Sequence, residues 1–350
     1  MPEPAIECDA VTKTFGDSEA LRGVTFTAAA GSVLGVLGPN GAGKTTTINI
    51  LSTLLRPTTG RATVAGFDVV EQAADVRASI GLTGQYAAID GLLTGRENLV
   101  LFGRLRGLSR RAARARADEM LETFSLTDAG DRRVSTYSGG MRRRVDIACG
   151  LVAPPRVVFL DEPTTGLDPR SRREVWDLVG SLAGQGITTL LTTQYLEEAD
   201  ALSDSMVVID RGEVIADGTA EQLKRRIGGS YCEVTPLHAG DVDRVAEALA
   251  GLNGLEIDAD AGTVSVPAPD GIATLSEVFR RVGDLGVELT DISLRKPSLD
   301  EVFFALTGAP AGRSEATRGS VPAGRSEATR GSVPAGRSEA TRGSVPAETS

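Results

Sequence analysis

The chain is poor in residues that make covalent or metal cross-links, with three cysteines and a single histidine in 350 residues. Cys8, Cys149 and Cys232 are odd in number, widely spaced and in no C-x-x-C pair. That argues against a disulfide framework or a zinc site and for three isolated packing thiols. No apolar run is long enough to cross a bilayer, and the amino terminus (Met1-Pro2-Glu3-Pro4) has neither a basic n-region nor an apolar h-region. The expectation is a cytoplasmic chain that meets a membrane only by recruitment. A surplus of positive charge is also missing. The formal net charge of −10 speaks against a general nucleic-acid binder, though local basic patches stay open. An apolar fraction of 41% at this length leaves room for two or three globular domains.

What is present is organised around Gly38-Pro39-Asn40-Gly41-Ala42-Gly43-Lys44-Thr45-Thr46. The segment fits G-x-x-x-x-G-K-[ST], after a strand-like run (Val33 to Leu37) and before a helical pattern (Ile48, Leu51, Leu54, Leu55). A P-loop needs that strand–loop–helix context. Its glycines let successive N–H groups turn towards phosphate oxygens, and the following helix offers its positive end to the same anion. Lys44 is placed to reach the β- and γ-phosphates, and the Thr45 hydroxyl to ligate Mg²⁺. The competing reading, a Gly-rich turn with a chance Lys-Thr, does not account for the flanking pattern. The segment is read as a nucleoside-triphosphate site.

Residues 5–65 read as short β segments. Phe15, ahead of the P-loop strand, could stack on a purine or close a core, and its position alone does not decide. Pro57 and Gly60 end the helix after the P-loop, and Ile80 to Gln85 reads as a buried strand ending on an amide. From Thr94 to about Leu126 the pattern is helical, opened by a Thr94/Glu97 capping box, with Arg110–Arg116 on a solvated face. Tyr137-Ser138-Gly139-Gly140-Met141 opens a second helix with Ser138 as N-cap, and Pro154-Pro155 stops it. Val157 to Leu160 is a fully apolar strand ending in Asp161 and Glu162, as in the middle of a parallel sheet. Asp161 suits Mg²⁺ held through water, and Glu162 suits polarising the water that attacks the γ-phosphate. Residues Pro163 to Pro169 read as a tight loop, followed by a helix (Glu174–Leu182), a strand (Thr188–Thr192) and a hairpin around Arg211-Gly212.

In this order the GPNGAGKTT, Gln85, YSGGM, VVFLDE and TGLD segments resemble the ATP-binding subunit of an ABC transporter, over Ile6–Gly228. The resemblance implies a P-loop α/β ATPase domain at 5–228 with a helical subdomain at about 86–153. It implies that Phe15 faces adenine, that Gly38–Thr46 is the Walker A loop, and that Gln85 senses Mg²⁺ and the transmembrane partner. Ser138, Gly139 and Gly140 would touch the γ-phosphate held by a second copy. Asp161 and Glu162 would be metal carboxylate and catalytic base, and Asp168 would lie in the D-loop. Each ATP would then lie between the Walker A loop of one subunit and the signature of the other. Two segments depart from the family pattern: the signature has Tyr137 and Met141 where Leu and Gln are commonest, and Gln194 stands where a His usually does. Gln194 can donate a hydrogen bond but cannot carry a proton, so hydrolysis should rest more heavily on Glu162. The string Thr192 to Asp200 with TYSGGMRRR is similar to the daunorubicin/doxorubicin-resistance (DrrA-type) exporters, where that Gln is frequent.

Residues 229–308 read as a small α+β unit in βαββαβ order, suggesting a ferredoxin-like domain. Its strands are expected at Tyr231–Thr235, Leu255–Asp258, Thr263–Val266 and Val287–Leu294, its helices at Asp241–Ala250 and Gly271–Val282, with a Ser298/Glu301 capping box near the end. The resemblance implies a regulatory or dimer-stabilising role. Beyond it, AGRSEATRGSVP occurs three times in a 309–350 tail whose composition cannot build a core and is expected to be disordered. The reading is a peripheral ATP hydrolase on the cytoplasmic face of the cell membrane. It needs ATP and Mg²⁺, works as a homodimer, and energises efflux of an amphiphilic drug or lipid through a separate permease. A soluble ABC ATPase acting on ribosome or DNA, and a nucleotide-gated binder with negligible hydrolysis, remain alternatives. A GTPase switch is disfavoured because no N-K-x-D segment occurs.

Overall fold

The computed structural model describes residues 3–308 apart from 86, 87 and 228. The repeat tail expected to be disordered therefore lies outside the described residues.

Strands β1 (Ile6–Phe15) and β2 (Ser18–Ala28) form a long antiparallel hairpin, its register set by Ile6 opposite Ala28 and Phe15 opposite Ser18. Strand β3 (Val33–Leu37) is buried along its whole length and runs into the P-loop, after which helix α1 (Lys44–Leu51) begins directly. That helix stops well before Pro57. Strands β4 (Thr59–Val64) and β5 (Phe67–Asp68) add to the hairpin in the order β2-β1-β4-β5. Helix α2 (Ala73–Ser79) leads to β6 (Ile80–Thr83), which ends two residues short of Gln85 and leaves that side chain exposed in a loop.

The stretch from Thr94 onward is two helices, α3 (Gly95–Leu105) and α4 (Arg110–Thr123). The chain turns between them at Gly107, whose φ of 87° suits a residue without Cβ. The Thr94/Glu97 capping box is formed, and Arg110, Arg111 and Arg114 are solvated. Helix α5 (Gly139–Leu151) follows with Ser138 accepting from the Met141 N–H, and it ends before Pro154-Pro155. The Tyr137 that replaces the commoner Leu is buried in this helical subdomain with its hydroxyl on the Ala129 carbonyl (2.6 Å). Its departure from the family pattern is thus met by a packed, satisfied site.

Strand β7 (Val157–Asp161) is wholly buried. Helix α6 (Pro169–Gly184) begins five residues earlier than the pattern suggested, because Asp168 caps it and Pro169 fits the first helical position. Strand β8 (Thr188–Thr193), helix α7 (Leu196–Leu202) and the hairpin β9 (Ser205–Asp210)/β10 (Glu213–Gly218) complete a six-stranded sheet, β10-β9-β3-β8-β7-β6. All of its pairs are parallel except β9–β10. The β9–β10 turn is the expected Arg211-Gly212, both with positive φ as a two-residue hairpin turn requires.

After helix α8 (Ala220–Ile227) come β11 (Tyr231–Pro236), α9 (Val242–Leu249), β12 (Glu256–Asp258), β13 (Thr263–Pro267), α10 (Ile272–Gly283) and β14 (Leu289–Arg295). The antiparallel order β12-β13-β11-β14 is the ferredoxin-like arrangement, with Val245, Leu249, Val278 and Val282 covering one face. The last helix, α11 (Leu299–Thr307), opens on the Ser298/Glu301 capping box but does not join that sheet. Its Leu299, Val302 and Phe303 bury in one cluster with Leu37 of β3, Met206 of β9, Leu196 of α7 and Leu223 of α8.

Candidate functional site

The site forms where the carboxyl ends of three central strands lie side by side. In register, Leu37 of β3 faces Thr193 of β8, and Thr192 faces Asp161 of β7. Gly38, Gln194 and Glu162 therefore start from one rim of the sheet, the edge where open α/β sheets take ligands. The P-loop is moulded against its surroundings. A Cβ on Gly38 would lie 2.2 Å from the Ile209 carbonyl oxygen, and one on Gly43 would lie 2.6 Å from Leu21. Gly43 also holds φ at 114°, so only glycine can pass the chain into α1 here. The β9–β10 turn braces the loop from behind, where the Gly212 N–H donates to the Ala42 carbonyl (2.9 Å). Pro39 and Asn40 are partly or fully exposed, as is Gly41, while Thr46 is half-buried in the first turn.

Lys44 is only 5% exposed, and its ammonium donates to the carbonyls of Gly38 (2.7 Å) and Pro39 (3.1 Å) while lying 3.8 Å from Glu162 Oε1. Burial pushes its pKa below the usual lysine range, and the carboxylates of Glu162 and Asp161 pull it back up. Thr45 donates its hydroxyl to Asp161 Oδ2 (3.0 Å), so the two expected metal ligands converge across 116 residues of sequence. Among the described residues no cluster of three acidic, His or Cys side chains exists to hold a metal alone. One hydroxyl and one carboxylate suit Mg²⁺, a hard cation that takes its other oxygens from phosphate and water.

Sequence reasoning gave no role to Thr192, which completes this set. Its hydroxyl donates to Asp161 Oδ1 (2.5 Å) and accepts from the Glu162 N–H (3.0 Å). Glu162 itself stands at φ 47°, a region that residues with Cβ adopt only under constraint. Its Oε2 accepts from Thr165 (3.1 Å). Gln85 and Gly139 line the same recess of about 380 Å³ as Glu162, together with Arg142, Arg143 and Leu167. Ser138 and Gly139 face solvent, whereas Gly140 is buried so tightly that a Cβ would meet Ser171 Oγ at 2.3 Å.

Other expected residues are placed less centrally. Phe15 is 48% exposed at the tip of the β1–β2 hairpin, with the Lys13 ammonium 5.0 Å above its ring. That hairpin touches the P-loop a few residues on, at Ala20 and Leu21 beside Gly43. Asp168 spends both carboxylate oxygens at the start of α6, on the N–H groups of Arg170 and Ser171 and on the Ser171 hydroxyl (2.6 Å). Those bonds hold its pKa low. Gln194 is half-buried beyond β8. Four residues on, Glu198 is buried and accepts from Thr164 (2.9 Å) and Trp176 (3.2 Å), with its pKa raised by burial. Thr164 and Trp176 lie 34 and 22 residues before Glu198, so the sequence carried no signal of those contacts. Another recess, about 600 Å³, lies at the amino ends of β7 and β8 (Val157, Thr188), at the far end of the strands from this site.

Comparison with known proteins places the chain in one family. A family model described as "ABC transporter" matches residues 21–165, and one described as "ATP-binding protein DrrA1-3-like, C-terminal domain" matches 218–307. The doxorubicin resistance ATP-binding protein DrrA of Mycobacterium tuberculosis is 56% identical over 312 residues, covering 87% of this chain and 94% of that protein. The daunorubicin resistance ATP-binding protein DrrA3 of Streptomyces coeruleorubidus is 55% identical over 308 residues, covering 88% and 97%. Among solved structures, a dimeric ATP-binding cassette in a post-hydrolysis state bound to ADP and Pi aligns with a TM-score of 0.56 at 26% identity. It covers 61% of this chain and 98% of its own.

Proposed function

We propose that this chain, which belongs to the DrrA-type ATP-binding proteins of ABC transporters, hydrolyses ATP to energise export of an amphiphilic drug or lipid through a separate membrane subunit. The observation that carries the reading is the convergence of Lys44, Thr45, Asp161 and Glu162 at one sheet edge, joined by the 3.0 Å Thr45–Asp161 bond and the 3.8 Å Lys44–Glu162 pair. The relatives are named for doxorubicin and daunorubicin resistance, which supports a drug as cargo.

In this reading the phosphates displace the Gly38 and Pro39 carbonyls from Lys44, whose charge then stabilises the β- and γ-phosphates. The P-loop N–H groups from Gly41 to Thr46 hold the same oxygens. Thr45 and Asp161 would hold Mg²⁺, which when bound would neutralise charge on the phosphates, and Gln85 would report on it and on the permease. Glu162 takes the proton of the attacking water, and Gln194 donates a hydrogen bond to the γ-phosphate in place of an imidazole. Phe15 stacks on adenine. Ser138, Gly139 and Gly140 meet the nucleotide held by a second copy, with Asp168 at the junction. No helix among the described residues is long and apolar enough to cross a membrane, which fits a peripheral subunit recruited by its permease. The ATPase domain spans 5–228, with residues 229–308 as an accessory domain anchored back by α11.

The test is ATP turnover by the purified chain with and without its membrane subunit, comparing wild type, Glu162→Gln and Gln194→Ala. Partner-stimulated turnover that disappears in Glu162→Gln is expected. Tight ATP binding with no turnover under any condition would overturn the motor in favour of a nucleotide-gated binder, the reading that Gln194 motivates.

A further inference from the structure

We propose that Arg143, together with Asp146, is a positioning residue that holds the backbone of Glu162 in its left-handed conformation and ties it to the chain on either side of Gln85. The inference rests on the reading of Glu162 as the hydrolytic base. Arg143 lies in α5 and is buried, yet its guanidinium serves main-chain carbonyls of the site and not the helical scaffold. Nε donates to the Pro163 carbonyl (2.8 Å) and Nη2 to the Asp161 carbonyl (3.1 Å). These two carbonyls flank Glu162, the residue held at φ 47°. With the Glu162 N–H fixed on Thr192, the peptide group before the strained residue is held at both its carbonyl and its N–H, and the Pro163 carbonyl anchors the chain one peptide beyond it.

The remaining donors face the other way. Nη1 reaches the Gly84 carbonyl (2.8 Å), one residue before Gln85, and lies 3.5 Å from Asp146 Oδ2. The other Asp146 oxygen accepts from the Ala88 N–H (2.9 Å), three residues after Gln85. One buried ion pair therefore grips both sides of Gln85 and both sides of Glu162, whose side chains line one recess. A displacement at Gln85, from the metal side or from the permease side, must move the clamp or break it. Only a planar fork can do this. A lysine ammonium is a single point that cannot span carbonyls of residues 84, 161 and 163 at once.

The test uses the full chain with two variants. Arg143→Met/Asp146→Leu removes both buried charges together, so neither is left unpaired. Arg143→Lys keeps the charge and loses the fork, and stands in should the double variant fail to fold. In either folded variant kcat for ATP is expected to fall on the order of 100-fold, the cost of misplacing a catalytic group by about 1 Å. KM should change less than about threefold, since the P-loop is untouched. Hydrogen exchange should quicken about tenfold or more at the Gln85 and Ala88 amides and at residues 164–167 together, with α1 unchanged. Wild-type kcat in both variants, or faster exchange at Gln85 and Ala88 without change at 164–167, would overturn the coupling. Absence of hydrolysis in the wild-type chain would remove the reading of Glu162 instead, and the exchange result would still decide whether the clamp exists.

Discussion

Replacing Thr192 by valine removes a hydroxyl from the centre of the site while conserving shape. The Thr192 hydroxyl gives Asp161 Oδ1 a hydrogen bond of 2.5 Å and shares the Glu162 N–H, which also reaches the Thr192 carbonyl at 3.1 Å. The N–H therefore keeps a partner in the valine variant, and the loss falls on the buried carboxylate. A hydrogen bond to a charged group contributes about 1.5–3 kcal/mol. At roughly 2–4 °C per kcal/mol for a domain of this size, the melting temperature should fall by about 3–12 °C. Thr192→Ser keeps both hydroxyl bonds and deletes only a methyl group, at a cost of about 1 kcal/mol. Calorimetry of the three proteins separates the two contributions, because the carboxylate argument puts valine below serine and a packing argument puts serine below valine. Added Mg-nucleotide should raise the melting temperature of wild type more than that of the valine variant, whose Asp161 is less well oriented. A serine variant at or below the valine one would refute the reasoning.

Four further outcomes are expected. Phe15→Ala should weaken nucleotide binding by about 1–3 kcal/mol in equilibrium titration if the ring stacks on adenine, with little change in melting because Phe15 is 48% exposed. Gly140→Ala should destabilise by about 1–3 kcal/mol, because its Cβ meets Ser171 2.6 Å from that residue's own Cβ, and adding Ser171→Gly should cost less in the Gly140→Ala chain than in wild type, because it also relieves that clash. Burial pushes Asp146 from the usual 3.8 up to about 6, while the Ala88 N–H and Arg143 oppose the rise. The fold therefore holds a proton that the unfolded chain has lost, so stability should decline as pH rises from about 4 to 6 and level off above that. Denaturant titrations should show that component, on the order of 3 kcal/mol, vanish in Asp146→Asn. The three thiols are buried and pushed up, Cys8 to about 12, so a thiol reagent should label them only as fast as the chain opens.

Much of this architecture was legible because its signals are local. Caps at Thr94, Ser138 and Ser298 lie three residues from the N–H they serve, and a hairpin turn at Arg211-Gly212 needs only two residues of the right kind. Where local signals compete, the sequence misled. The helical pattern from Thr94 to about Leu126 did not mark the break between α3 and α4, and Asp168-Pro169 read as loop although Asp before Pro is also how a helix starts.

Sequence by itself determined the nucleotide chemistry, because a phosphate cradle is built from consecutive backbone N–H groups and one lysine within nine residues. It also determined the apolar strand that delivers Asp161 and Glu162 to a sheet edge. Only the tertiary structure decided who holds those carboxylates in place. Thr192 is 30 and 31 residues away from them, and Arg143 reaches partners 18, 20 and 59 residues away. Nor could the pattern show that α11, which follows the ferredoxin-like strands, returns to bury Phe303 on the ATPase core. An amphipathic helix states that it must cover an apolar surface, and the physical choice among surfaces is made only when the whole chain packs.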